Sequence, residues 1–166
     1  KEAKHPFVIR YPRGGGRLHD WRCAMEAVEI GRGRLLRQGT GEVAVLSFGP
    51  IGVTAADAIA RVEEQHSAVK ITHVDLRFAK PLDEKLILEV ARTHHTLITI
   101  EDGARQGGIG SAVLELLAEH AVTPRVVRMG LPDQFVEHGS MAELHHLCGI
   151  DEAAIEAAIS SHLTFK

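Results

Sequence analysis

The segment Arg10-Tyr11-Pro12-Arg13-Gly14 places two guanidinium groups on either side of a Tyr-Pro step. Arginine offers a planar fork of N–H donors that matches a phosphate or a carboxylate. Pro12 fixes its own φ and turns Tyr11 toward an extended conformation, so the segment can hold both forks in place. The competing reading is a pair of arginines that meet surface acids, which contributes little. A second candidate is the run Glu101-Asp102-Gly103-Ala104-Arg105-Gln106-Gly107-Gly108-Ile109-Gly110. Glycines ahead of a helix let backbone N–H groups approach an anion. The run is neither G-x-G-x-x-G straight after a strand nor a Walker sequence ending in Gly-Lys-Ser/Thr, and a tight strand-to-helix connection needs the same glycines. Glu101, Asp102, Asp133 and His138 form a third set. Converging above a sheet they suit acid–base chemistry or a divalent metal, and otherwise they are caps, turn residues and interface polar groups. Of the eleven histidines, His94-His95 and His145-His146 are adjacent pairs. Adjacent residues on a helix do not face one site, and no zinc-type spacing occurs, so solvated surface is the expectation.

These residues need elements to position them. Pro6 to Arg10 reads as an opening strand, and Gly14-Gly15-Gly16 with the polar residues to about Arg22 as a loop or linker. Glu29 to Gln38 is a weak strand, suited to a sheet edge. Val43 to Phe48 is apolar throughout and ends at Gly49-Pro50, as a strand buried on both faces would. Ala55, Ile59 and Val62 share a helical face. Ile71 to Phe78 alternates and reads as half-buried. Asp83 is placed to cap a helix with the stripe Leu86, Ile87, Val90 and Ala91. Thr96 to Ile100 is a further strand. Ser111 opens a helix with Val113, Leu114, Leu117, Ala118 and Ala121 inward, and Arg125 to Met129 follows as a strand. Ser140 and Glu143 have capping-box spacing, and Asp151 caps a last helix carrying Ile155, Ala158 and Ile159. Strands alternating with helices predict an α/β fold with a mainly parallel sheet flanked by helices. Ligands of such sheets gather at the carboxyl ends of the strands, where Gly49–Gly52, Arg77–Asp83, Glu101–Gly110 and Gly130–Gly139 fall.

Composition bounds the rest. A chain of 166 residues, 45% hydrophobic and 25% charged, suits one globular domain with at most a short piece of a second. A net charge of −3 gives no reason to expect nucleic acid or an anionic membrane as partner. Cys23 and Cys148 make no disulfide framework and fit a reducing cytoplasm. No apolar run approaches the roughly 20 residues of a membrane helix. The chain opens without Met directly on a strand-like run, as a fragment or a processed chain would.

At these residues the chain resembles the carboxy-terminal part of the 1-deoxy-D-xylulose 5-phosphate synthase family. The blocks are Ile9-Arg10-Tyr11-Pro12-Arg13-Gly14, Glu29-Ile30-Gly31-Arg32-Gly33, Val45-Leu46-Ser47-Phe48-Gly49 and Asp75-Leu76-Arg77-Phe78-Ala79-Lys80-Pro81-Leu82-Asp83. They continue with Gly107-Gly108-Ile109-Gly110-Ser111-Ala112-Val113-Leu114-Glu115 and Gly130-Leu131-Pro132-Asp133-Gln134-Phe135-Val136-Glu137-His138-Gly139. The strand leading to Glu101-Asp102 is shared more widely, with transketolases and the β subunits of 2-oxo acid dehydrogenases.

The resemblance implies a homodimeric, three-domain transferase. It uses thiamine diphosphate and Mg²⁺ to condense pyruvate with glyceraldehyde 3-phosphate, with loss of CO₂, toward isoprenoids, thiamine and pyridoxal phosphate. The family's Gly-Asp-Gly…Asn cofactor motif and the sequence carrying its activating glutamate are absent here. The resemblance therefore implies that residues 1–25 are the last strand and exit linker of a pyrimidine-binding domain. Residues 26–166 would be the whole transketolase-like carboxy-terminal domain, with no cofactor, metal or catalytic residue of its own and no turnover alone. Arg13 maps to the family's contact with the substrate phosphate, supported by Arg10 and Tyr11. The alternatives are a dehydrogenase β-subunit-like domain with a lipoyl-domain partner, or a free-standing, non-catalytic anion-binding domain.

Overall fold

Val43-Ala44-Val45-Leu46 is apolar at every position, so neither face of this segment can be left in water. It becomes β2 (Val43–Phe48), at the centre of a five-stranded sheet, with those four residues fully buried. The structure, a computed structural model, describes Pro6, Val8, Ile9, Tyr11, Ala24 and residues 26–164. The expected opening strand and the Gly14–Gly16 linker lie largely outside the described residues. So do Arg10 and Arg13, while Tyr11 is exposed.

The other elements are β1 (Arg34–Arg37), α1 (Ile51–Gln65), β3 (Thr72–Asp75), α2 (Glu84–Thr93), β4 (Thr96–Ala104), α3 (Ile109–Glu119), β5 (Arg125–Leu131), α4 (Met141–Leu147) and α5 (Glu152–Ser160). The strand order is β1-β3-β2-β4-β5. All pairings are parallel except that of the edge strand β1, which runs antiparallel to β3. On one face α1 and α5 bury Ile59, Val62, Ile155 and Ile159 against Val43, Val45, Ile98 and Ile100. On the other, α2 and α3 bury Ile87, Val90, Val113 and Leu117 against Ala44, Leu46, Val74 and Leu97. Each Val, Leu or Ile among them contributes about 1.5–3 kcal/mol on leaving water.

Caps set where the helices begin. The Asp83 carboxylate accepts the Leu86 N–H at 3.1 Å and also the Gly33 N–H at 3.0 Å, so it starts α2 and ties down the entry to β1. Ser140 and Glu143 close the capping box of α4, and Asp151 accepts from Ala154 at 2.9 Å to start α5. At the other end of β1, Arg37 pairs with Glu63 of α1 at 2.5 Å.

Two expectations need correction. β3 is buried on both faces, not half-buried, because it lies inside the sheet between β1 and β2. Its polar alternates are accommodated by hydrogen bonds: Thr72 accepts the Gly39 N–H at 2.8 Å, and His73 meets Ser47 at 2.9 Å. On α3 the buried residues are Ile109, Gly110, Val113, Leu116 and Leu117, while Leu114, Ala118 and Ala121 are exposed. The helix starts at Ile109, earlier than Ser111, because Glu101 holds its first amides.

Candidate functional site

In a doubly wound sheet the crevice opens where neighbouring strands send their connections to opposite faces. Here β2 is followed by α1 on one face and its neighbour β4 is followed by α3 on the other. The connections at that point are Gly49-Pro50 and Arg105–Gly108, the second being the loop part of the glycine-rich candidate, whose Glu101–Ala104 belongs to β4.

Its helix end is already occupied. Glu101 is buried, and its two carboxylate oxygens accept the N–H groups of Ile109 at 2.9 Å and Gly110 at 3.0 Å. The amide donors that would greet an external anion are satisfied by an internal one. A diphosphate brought there would meet a carboxylate. Among the described residues no group of three or more His, Cys, Asp or Glu side chains could hold a metal ion. At this loop the Glu101 carboxylate takes the helix amides that a diphosphate would need, and it sits where a Cβ on Gly108 would be, as the tight-connection reading of the glycines expects.

The third candidate set does not assemble. Asp102, Asp133 and His138 are exposed, and no hydrogen bond or ion pair joins any of them to another or to Glu101. Asp102 instead faces His145 of α4, with Oδ2 3.8 Å from Nε2. A shallow cavity of about 380 Å³ lies beside this end of the sheet, lined by Ala104, Gln106 and Leu131–Phe135.

The histidines depart furthest from expectation. His94 is buried, with Nδ1 2.8 Å from the Val90 carbonyl and Nε2 2.7 Å from Thr72 Oγ1. A carbonyl only accepts, so Nδ1 carries the proton of that bond. His146 meets Asp151 at 2.7 Å. His73 is buried against Ser47 Oγ, and burial pushes its imidazole down to about 4 against the opposing pull of Asp75, with Arg37 adding to the fall. Ser47 and His73 are 1% and 3% exposed, so the pair is a cross-strand link that substrate does not reach. Its one trace in the sequence is a histidine in the middle of a strand.

Residues 31–155 match the family "Transketolase, C-terminal domain". The 1-deoxy-D-xylulose-5-phosphate synthase of Bacteroides thetaiotaomicron is 56% identical over 152 residues, which is 92% of this chain and 23% of the relative. That of Vibrio vulnificus is 42% identical, covering 95% of this chain and 24% of the relative. The chain thus spans about a quarter of the length of the curated relatives it matches. Among solved structures, a split-gene transketolase described as an inactive β4 tetramer is similar with a TM-score of 0.72 and 32% identity, over 84% of this chain and 43% of that one. A Campylobacter jejuni transketolase, at 14% identity and a TM-score of 0.55 over 79% of this chain and 18% of its own, shares the fold. The chain is a member of the transketolase C-terminal domain family.

Proposed function

We propose that this chain is the carboxy-terminal part of a 1-deoxy-D-xylulose 5-phosphate synthase. The observation that carries the reading is the 56% identity to such a synthase across 92% of this chain, confined to 23% of the relative. The full-length protein then condenses pyruvate with glyceraldehyde 3-phosphate, forming one carbon–carbon bond and releasing CO₂. Thiamine diphosphate supplies the carbanion chemistry of that reaction, with Mg²⁺, and both are held outside this chain. Glu101 supports that division, because it fills the glycine-rich helix end that a diphosphate would need.

On this reading residues 1–25 end the preceding domain and 26–166 form the last one. Arg13 holds the phosphate of glyceraldehyde 3-phosphate through its guanidinium fork, with Arg10 and Tyr11 in support. The protein works as a homodimer in the cytoplasm and takes neither nucleic acid nor membrane as partner. No helix among the described residues is long and apolar enough to cross a membrane. The isolated chain is inactive, in keeping with the description of the split-gene relative as inactive. Turnover of the full-length protein beside that of this chain tests the reading.

A further inference from the structure

None of the seven residues of α4, Met141–Leu147, is buried. A helix of two turns is marginal without a packed face, so its polar links decide whether it stays in place. Its start is held by the Ser140–Glu143 capping box. Its last turn carries the adjacent pair His145 and His146, which point to different partners as neighbours on a helix must. His146 Nδ1 lies 2.7 Å from Oδ2 of Asp151, the cap of α5. His145 Nε2 lies 3.8 Å from Oδ2 of Asp102 near the end of β4, too far for a hydrogen bond. That Nε2 is sealed from water and has no hydrogen-bond partner among the described residues. A neutral ring leaves the atom unsatisfied. A protonated ring makes it a charged donor that faces a carboxylate.

We propose that α4 is a pH-sensitive latch: protonation of His145 and His146 draws its last turn onto Asp102 and Asp151, and deprotonation loosens it. Histidine changes charge between about pH 5 and 8, a range in which carboxylates stay ionised. Across from the two rings stand the carboxylates of Asp102 and Asp151, while Glu143 on α4 itself is turned to the Ser140 hydroxyl and N–H. The His146 bond, with the Ala154 N–H adding to it, holds the Asp151 carboxyl below the usual range. A cation in the last turn also opposes the negative end of the helix dipole. Each effect favours the seated helix when the rings are charged. The seating is therefore strongest at low pH and is lost as pH rises through the histidine range. It does not depend on which reaction the longer protein performs.

Hydrogen exchange in the full-length protein, read on the peptide 141–148 and divided by the intrinsic rate at each pH, tests the latch. Protection of α4 is expected to rise about 5-fold from about pH 8 to about pH 5.5, as two partly exposed ion pairs would give. His73 acts on the whole domain in the opposite sense, so α3, which carries no histidine, is the control and should hold or lose protection. Asp102→Asn should remove part of the rise, and His145→Gln combined with His146→Gln all of it. A flat or falling profile for α4 in the unmodified protein would overturn the proposal. So would a rise shared by α3, or one that survives the double substitution.

Discussion

Gly108 lies so close to the Glu101 carboxylate that a Cβ on it would stand 2.4 and 2.5 Å from Oε2 and Oε1. The same Cβ would be 2.1 Å from the Ala104 carbonyl oxygen. The glycine is there so that a carboxylate from the end of β4 can reach the first amides of α3. Its φ of −85° is open to any residue, so space and not backbone freedom is the reason. Gly108→Ala is expected to cost about 2–3 kcal/mol through overpacking against backbone that cannot yield. Urea denaturation would show it as a lowered midpoint with an unchanged slope, and an unchanged midpoint would refute the close approach.

Asp83→Ala removes two acceptors at once, the cap of α2 and the partner of the Gly33 N–H. Loss of a cap costs about 1 kcal/mol, and an unsatisfied N–H in a half-buried position adds about 1–3 kcal/mol. Asp83→Asn keeps one acceptor oxygen, enough for the Leu86 cap, but sets its NH2 against the Gly33 N–H, so it should recover only the roughly 1 kcal/mol of the cap. Equal destabilisation by both variants would contradict this account.

His73 makes stability depend on pH. Its folded value of about 4 lies below the ordinary 6.5, so between these two the unfolded chain binds more protons. The contribution is therefore complete above pH 6.5 and is lost as pH falls toward 4, amounting to about 3 kcal/mol at most. An NMR titration should find the His73 ring neutral at pH 5. A midpoint near 6.5 would contradict the burial argument.

Arg13→Ala in the full-length protein is expected to raise the KM for glyceraldehyde 3-phosphate by roughly 10-fold or more while leaving that for pyruvate unchanged. A charged hydrogen bond to phosphate is worth about 1.5–3 kcal/mol. An unchanged KM would remove Arg13 from the substrate site.

How much of this was legible in the sequence depends on which force placed each residue. Val43–Phe48 and the caps Asp83, Ser140 and Asp151 were readable, because an unbroken apolar run and a capping side chain act locally. β3 was misread because its burial on both faces comes from the neighbours β1 and β2, which its own alternation does not report. The inward face of α3 is not legible in its own sequence because packing against Ala44, Leu46, Leu97 and the residues of α2 selects Ile109, Val113, Leu116 and Leu117. His94 looked like surface until Thr72, 22 residues away, supplied its partner. Convergence of Glu101, Asp102, Asp133 and His138 is a long-range property that residue type does not carry.

On the proposed reading the chemistry belongs to a longer protein of which this chain is the carboxy-terminal part. The most direct test is formation of 1-deoxy-D-xylulose 5-phosphate from pyruvate and glyceraldehyde 3-phosphate, with thiamine diphosphate and Mg²⁺ supplied, by the full-length protein and by this chain side by side. Product and CO₂ are expected from the full-length protein and none from the 166-residue chain. Turnover by this chain alone, or none by the full-length protein, would contradict it.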